Sequence, residues 1–538
     1  MAQKRSRAHG ALANFPRVGT DGLGVTREIE LKLEGDPDVL AKLRKSRSLA
    51  ALGTSRARSA TIETIYYDSK ERDLAEQHIA LRVRRNGKRI EQTVKHAPLP
   101  NGGIADRIEL TAPLDSPEPN LKRIEDIRLR QRIAKSTKNG GLSPICRTHV
   151  KRVTRRVKLP GGGEAELAFD VGEIAAANGD ARLPISELEL ELRKGKAREL
   201  VALARRLAEE FPIRLAMRTK PDRGFALSAG AVDRPRKAET VKLPADPSAE
   251  SGYVHILSHC LSHALDNEGA VRRARNPEGV HQMRVALRRL RSAITAFGPH
   301  FDGPAMRHVR DEAKWLAGEL GSARDLDVFS GETRTARKAA RPGDARLAAL
   351  EKAVAAARGA AWDQAAGALE SQRGRLFMID LAAAITGRAW EASDPKGARM
   401  REKPLKDLAA RVLTRRFVKA AKLGGRIEAL TPEERHALRI ELKKLRYAGE
   451  FFQSLFPKKR ARPYLKRLSE LQDVFGALND AAVAGALVDS LPRDGANDIL
   501  LAAAGGLVTG WHMARAEAIW PEAKARWKAL SKTPAFWE

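Results

Sequence analysis

Cysteine is nearly absent from this chain: 538 residues hold two, Cys146 and Cys260, far apart and with no metal-ligand spacing around either. That excludes a disulfide framework and a structural zinc site as organising features, and a reducing, cytoplasmic setting is expected. Aromatic residues make up only 5%, a poor supply for the stacking platforms that grip single-stranded nucleic acid. No apolar run approaches the ~20 residues that cross a bilayer, so no membrane partner is expected. Residues 1–24 are basic without an apolar stretch of signal type and read as a flexible tail. Acid is short as well: 67 Asp and Glu stand against 98 Lys and Arg, a net charge of +31. Such an excess calls for a polyanion, and charge alone does not choose among nucleic acid, polyphosphate and phosphorylated small molecules.

What is present divides into two regimes. In the first, charged and apolar residues alternate. Glu28, Glu30 and Lys32 take one face of a strand, and Ile29, Leu31 and Leu33 the other. A short helix is expected over 38–51. Strands follow over 61–68, 78–85 and 88–95, the last two joined by an Asn86-Gly87 hairpin turn. Further strands are expected over 104–111, 145–159, 164–174 and 183–192, with a Gly161-Gly162-Gly163 turn, and then a helix over 198–210. In strand after strand one face carries Glu, Lys and Arg. Turned inward, those faces line a tunnel through a closed antiparallel barrel. Glu28, Glu30, Asp170, Glu187, Glu189 and Glu191 then offer hard oxygen ligands suited to Mg²⁺ or Mn²⁺. Lys32, Arg82, Arg84, Lys95, Arg107, Arg152 and Lys220 offer donors to phosphate oxygens. Acids to hold a metal beside a basic cage are what triphosphate hydrolysis requires.

This segment resembles a CYTH domain of the triphosphate tunnel metalloenzymes. The resemblance rests on Glu28-x-Glu30-x-Lys32, Tyr66-Tyr67-Asp68, Ala80-Leu81-Arg82-Val83-Arg84, Thr93-Val94-Lys95, Arg107-x-Glu109, Phe169-Asp170-x-Gly172, Glu187-x-Glu189-x-Glu191 and Thr219-Lys220-Pro221-Asp222-Arg223-Gly224, in that order. It implies Mg²⁺ or Mn²⁺ on Glu28, Glu30, Asp170, Glu187 and Glu189. It implies triphosphate on Lys32, Arg82, Arg84, Lys95, Arg107, Arg152 and Lys220, with Glu28, Glu30 and Lys32 at the reacting centre. Thr111 stands where many members carry a second carboxylate, which leaves Glu109 open as a ligand or as an ion-pair partner of Arg107. Arg147 competes with Arg152, which is preferred because it shares a strand face with Thr148. Glu191 reads as a rim charge; Tyr66, Tyr67 and Phe169 read as packing residues; His78, His96 and His149 receive no role.

Residues 230–250 are proline-containing, charged and aperiodic, and read as a linker. Beyond them strand signals vanish and Ala-, Leu- and Arg-rich helical patterns take over. An internal repeat appears at an offset of 155 residues: His281-x-x-Arg284-x-x-x-Arg288-x-x-Arg291 recurs as His436-x-x-Arg439-x-x-x-Lys443-x-x-Arg446. Phe297 and Phe452, Phe301 and Phe456, Gly321 and Gly476, Asp325 and Asp480, and Val328 and Val483 obey the same offset. Each motif forms one helix stripe of like charge, which an anion or an acid such as Asp325 or Asp480 must satisfy. The segment resembles a CHAD domain, the conserved-histidine α-helical domain, which implies binding of inorganic polyphosphate by these eight residues; Lys314, Arg324, Tyr447 and Lys466 are weaker candidates. The chain is therefore expected to be an α+β multidomain protein: tail 1–24, barrel 25–229, linker 230–250, and an all-α part 251–538 of two duplicated bundles, about 251–395 and 396–538. A CYTH and a CHAD module in this order resemble bacterial inorganic triphosphatases. Hydrolysis of inorganic triphosphate in the tunnel is the expectation. The alternatives are a non-catalytic polyphosphate-binding protein, or a triphosphatase or cyclase acting on thiamine triphosphate or ATP. Nucleic acid is expected only as a non-specific polyanion.

Overall fold

The structure is a computed structural model that describes residues 25–96, 102–138, 141–177, 179–339, 343–390, 395–493, 495 and 498–538. The expected tail over 1–24 lies outside them. Nine strands form in the first part: β1 Val25–Glu34, β2 Arg58–Asp68, β3 Ile79–Asn86, β4 Arg89–His96, β5 Ile104–Pro113, β6 Ser143–Lys158, β7 Glu164–Ala176, β8 Arg182–Lys194 and β9 Arg214–Ala216. The order β5-β4-β3-β2-β6-β7-β8-β1 closes on itself, because β1 also pairs with β5, and every pairing is antiparallel. The result is an eight-stranded barrel, with β9 extending the pairing along the last residues of β1.

Period-2 alternation decides which way each face looks. The charged faces turn inward, so the barrel inverts the usual arrangement, and its apolar faces must be covered from outside. Leu31, Leu33, Leu167, Leu188 and Leu190 are fully buried beneath helices. Three short helices, α1 Pro37–Lys45, α2 Arg47–Ala50 and α3 Asp73–Glu76, are followed by α4 Ile127–Ser136, α5 Ala197–Glu210 and α6 Lys220–Ser228. Helix α5 buries Leu200, Val201, Leu203, Ala204 and Leu207 along one stripe, each leucine or valine contributing about 1.5–3 kcal/mol by transfer. The helix expected over 38–51 is two helices. Ser46 breaks it with an extended backbone and then caps α2 by accepting from the Leu49 amide. The hairpin forms with its turn shifted by one residue. Asn86 pairs with Arg89, so the two-residue loop is Gly87-Lys88, and Gly87 alone carries a positive φ of 59°, the pattern of a type II′ turn.

The linker has no regular structure from Arg234 to Leu243, yet it is pinned. Val241 is fully buried. The Arg236 amide donates to Asn267 at 2.9 Å, and its carbonyl accepts from Asn267 at 2.9 Å. The Leu243 amide donates to Ser454 at 3.2 Å. Helices then run to the end of the chain: α7 Ala249–Arg272, α8 Pro277–Phe297, α9 Pro304–Glu319, α10 Gly321–Ala339, α11 Ala345–Glu370, α12 Gln372–Thr386, α13 Pro395–Glu402, α14 Leu405–Gly424, α15 Pro432–Phe452, α16 Lys458–Asp489 and α17 Asp498–Ser531. Helices α8 and α15 have the same length and start 155 residues apart. Their equivalent residues Phe297 and Phe452 pack with ring centroids 5.9 Å apart, the contact expected across a pseudo-twofold axis.

One difference between the halves lies next to the repeated stripe. The segment that breaks into α9 and α10 at Leu320 in the first half runs unbroken as α16 in the second. Arg284 accounts for the break: its guanidinium donates to the Ala317 carbonyl at 3.0 Å, and a Cβ on Gly321 would lie 2.7 Å from it. Among the described residues a Cβ on Gly476 would meet nothing within 4 Å. Both cysteines are buried and unpaired. Among the described residues no helix is long and apolar enough to cross a membrane. The largest of three apolar clusters runs from the outside of the barrel into the helical part.

Candidate active site

The tunnel encloses a cavity of about 220 Å³ whose described lining is almost wholly charged. Strand register sets its inner neighbours. Glu28 lies opposite Arg107, Lys32 opposite Glu189, Asp170 opposite both Arg152 and Glu187, and Lys95 opposite Glu109. Cross-strand neighbours on one face stand about 4.5–5.5 Å apart, so acids and cations meet as pairs.

Two groups result. In the first, carboxylate oxygens of Asp170, Glu187 and Glu189 all lie within 4.8 Å of one another, the donor chemistry of a hard divalent cation site. Lys220 sits among them, 2.8 Å from Asp170 and 2.8 Å from Glu189, and also bonded to Glu187. It is the first residue of α6, placed there by a capping box between Thr219 and Asp222. Arg152 forks onto Asp170 at 2.7 and 2.6 Å and reaches Glu189 at 2.5 Å. Lys32 lies 3.4 Å from Glu187 and 3.3 Å from Glu189. Burial opposes the ammonium of Lys220, but Glu187, Glu189 and Asp170 outweigh it and hold its pKa well above the ordinary range. The same contest, won by Glu187 and Glu189, raises Lys32. Burial opposes the charge of Glu189, and Lys220, Arg152 and Lys32 outweigh it to hold Glu189 well below the usual carboxylate range.

In the second group, Lys95 donates to both oxygens of Glu28 at 2.6 and 2.8 Å. Arg107 lies 3.4 Å from Glu28 and 3.2 Å from Glu30. Glu109 joins Lys95 at 3.2 Å and Arg82 at 3.4 Å, while Arg107 lies against Glu28 and Glu30. The five expected metal ligands thus divide into a triad and a separate pair. Arg147 is exposed and Arg152 lines the tunnel.

One tunnel cation makes no ion pair. Among the described residues Arg84 has no carboxylate within ion-pair reach; it is half-buried, and its Nε is buried without a hydrogen-bond partner. Burial, then Arg82 and Arg152, lower its pKa to about 10. Arg82, paired with Glu109, and Arg152, paired with Asp170 and Glu189, stand beside it, so three guanidinium groups share this part of the tunnel.

Sequence reasoning passed over two lining groups, Glu166 and Arg193. They continue the inward period of β7 and β8, a signal that alternation alone offered. Arg193 pairs with Glu191 at 2.8 Å and with Glu166 at 3.0 Å. Glu191 lines the tunnel, and burial pushes its pKa up to about 7 against the pull of Arg193. Tyr66 lines the cavity as well as packing against Cys146 and Val150. Arg223, one turn beyond Lys220, reaches Glu187 at 3.3 Å.

In the helical part, His281, Arg284, Arg288 and Arg291 form a half-buried stripe on α8. Arg284 lies 3.9 Å from Asp325. Burial, then Arg324, push His281 to about 4. On α15, His436 is exposed, Arg439 and Lys443 are half-buried, and Arg446 bonds Glu450 at 2.8 Å. The side chains of Asp480 and Val483 lie outside the described residues. Of the weaker candidates, Tyr447 is buried and Lys466 is an exposed partner of Glu470.

Comparison with known proteins agrees with this geometry. Residues 26–225 match the CYTH domain, and residues 255–489 match the CHAD domain. An inorganic triphosphatase of Haemophilus influenzae is 29% identical over 204 residues, 38% of this chain and 55% of that protein, so the chain spans about half the length of this relative. An uncharacterized protein of Mycobacterium tuberculosis is 28% identical over 423 residues, 74% of this chain and 77% of its own. The crystal structure of the CHAD domain from the plant Ricinus communis is 31% identical. The match covers 56% of this chain and 98% of that one, with a TM-score of 0.48. The chain belongs to both families, a CYTH domain followed by a CHAD domain.

Proposed function

We propose that the tunnel hydrolyses inorganic triphosphate with the help of a divalent cation, and that the helical domain binds inorganic polyphosphate. One observation carries the first part: Arg84, with no carboxylate in ion-pair reach among the described residues, and an acidic triad stand on the inner wall of one closed barrel. The guanidinium groups of Arg82, Arg84 and Arg152 bind phosphate oxygens and stabilise charge on the departing pyrophosphate. Lys32 and Lys220 stay ammonium ions in the acidic setting described above, so they act as cations rather than as proton acceptors. Lys95 and Arg107, tied to Glu28 and Glu30, orient the chain by sharing donors. Asp170, Glu187 and Glu189 would hold Mg²⁺ or Mn²⁺, with Lys220 moved aside and Glu28 and Glu30 completing the expected set. A cation bound there would supply Lewis acidity at a phosphoryl oxygen and a water of lowered pKa.

Tyr66 is the one aromatic side chain among the described residues lining the cavity. A base platform is therefore poorly supplied, which favours an inorganic triphosphate over a nucleoside triphosphate. The Haemophilus relative carries the same activity in its name. The helical reading rests on the two repeated stripes and the net charge of +31.

The test is phosphate release from tripolyphosphate, ATP and thiamine triphosphate with Mg²⁺ or Mn²⁺, for the parent and for Glu28→Gln and Glu189→Gln. Tripolyphosphate hydrolysis lost in both variants is the expected result. Preference for ATP or thiamine triphosphate would move the assignment to an organic substrate. Tight polyphosphate binding without any hydrolysis would leave a binding protein. Competition between long polyphosphate and duplex DNA at equal phosphate concentration tests the helical domain, with polyphosphate expected to win.

A further inference from the structure

The tunnel is not the largest described cavity. A hollow of about 650 Å³ lies where the barrel meets the helices. Its walls come from the ends of β1 and β8, from β9 and α6, and from α7, α11 and α12. Six arginines line it, and they are not equally provided for. Arg218 donates to Asp266 at 3.1 Å and to two backbone carbonyls. Arg273 forks onto Asp233 at 3.0 and 2.7 Å. Arg214 bonds Glu268 at 2.5 Å, and Arg223 turns toward Glu187 in the tunnel wall.

Arg272 and Arg375 are left over. Arg272 has only longer contacts, 3.6 Å to Glu268, already taken by Arg214, and 3.5 Å to Glu370. Arg375 donates to the Glu370 backbone carbonyl and has no carboxylate within ion-pair reach among the described residues. The Nε atoms of both are buried without a hydrogen-bond partner. Burial and then the neighbouring Arg214 lower the pKa of each, so three guanidinium groups repel one another across the hollow. The nearest spare acid, Glu370, ends α11 with its side chain 55% exposed. Guanidinium forks with unused donors, crowded by like charge in a concave site, match the bidentate geometry and charge of phosphate oxygens.

We propose that this interdomain hollow is a second anion site, separate from the tunnel, which binds a multivalent phosphate anion such as pyrophosphate through Arg214, Arg272 and Arg375. Its walls belong to both domains, so the bound anion ties barrel and helices together. Arg223, which lines the hollow and also touches Glu187, places the site one side chain away from the acidic triad.

The experiment uses the full chain in an Arg84→Ala background, which weakens the tunnel's own grip, and measures pyrophosphate binding by calorimetry. Arg272→Gln with Arg375→Gln is expected to weaken binding at least tenfold. Glu370→Gln removes the competing carboxylate and is expected to tighten binding about three- to tenfold. An ion-pair network that only glues the domains predicts no tightening, so this variant decides the matter even where the double variant fails to fold. Tightening in Glu370→Gln supports the site. Affinity within twofold of the background in Glu370→Gln, or no pyrophosphate binding in the background itself, overturns it.

Discussion

In the proposed reaction, Arg84 is the tunnel cation with charge to spare for a substrate. The other tunnel cations lie among acids, so their charge is spent within the fold. Arg84 lies half-buried beside Arg82 and Arg152, with no carboxylate in ion-pair reach among the described residues. Arg84→Ala is expected to lower kcat/KM for triphosphate about 100-fold, the usual effect of removing one preorganised donor. The same change should leave Tm unchanged or raise it, because a buried charge without a partner costs stability. Steady-state kinetics and thermal melting on one preparation check both halves, and a fall in Tm of several degrees would give Arg84 a role in the fold instead. Glu109 teaches a related lesson. Its strand face was legible, but its partner was not, because alternation says which face a residue takes and not who stands across from it.

At the scale of elements, the linker and α7 act as one unit. Three histidines, His255, His259 and His263, follow α7 at intervals of four residues, and the linker lies along them. His263 contacts the Arg236 carbonyl at 3.2 Å and Gln282 at 3.2 Å. Burial, then buried Arg289, push His259 and His263 to about 4. Both are therefore neutral when folded, whereas the unfolded chain takes up a proton near pH 6.5. Their contribution is complete above pH 6.5 and is lost as pH falls toward 4, at up to about 1.4 kcal/mol per unit for each histidine. Urea midpoints at pH 7 and pH 5 should show the loss, and His263→Gln should flatten it; an equal slope in parent and variant would remove the histidine from the account.

The repeat supplies a second prediction at this scale. Gly476→Ala, in open space on continuous α16, should stabilise by about 0.5–1 kcal/mol. Gly321→Ala, at the equivalent place, should give less or nothing, because its methyl group meets the Arg284 guanidinium. Denaturant unfolding of the two variants side by side measures the difference, and equal gains would show that Arg284 does not set the helix break.

For the molecule as a whole, the inward charge of the barrel has a consequence outside it. The apolar faces need cover, and part of that cover is the helical domain. Helix α5 packs against α12, Arg205 bonds Asp380 at 2.6 Å, and the Gly102 amide donates to Ser258 at 2.8 Å. With one core shared between the parts, calorimetry of the full chain should give a single unfolding transition in which barrel and helices melt together. Residues 25–229 expressed alone should melt at a lower temperature and bind a hydrophobic dye. Two well-separated transitions in the full chain would show that each part stands by itself.

By itself the sequence determined the eight barrel strands, though not β9, their charged faces, the repeat and the two families, because these are written in short-range periodicity and ordered motifs. A period of two fixes a face, a step of three and four fixes a helix stripe, and an offset of 155 fixes a duplication. Only the tertiary structure decided which charges meet. Closure of β1 on β5 and entry of Lys220 at the head of α6 divided the acids into the triad of Asp170, Glu187 and Glu189 and the pair of Glu28 and Glu30. The hollow between the domains was illegible for the same reason. Arg214, Arg272 and Arg375 come from three elements across 161 residues, and electrostatic neighbours are set by distance in space, which local pattern does not encode.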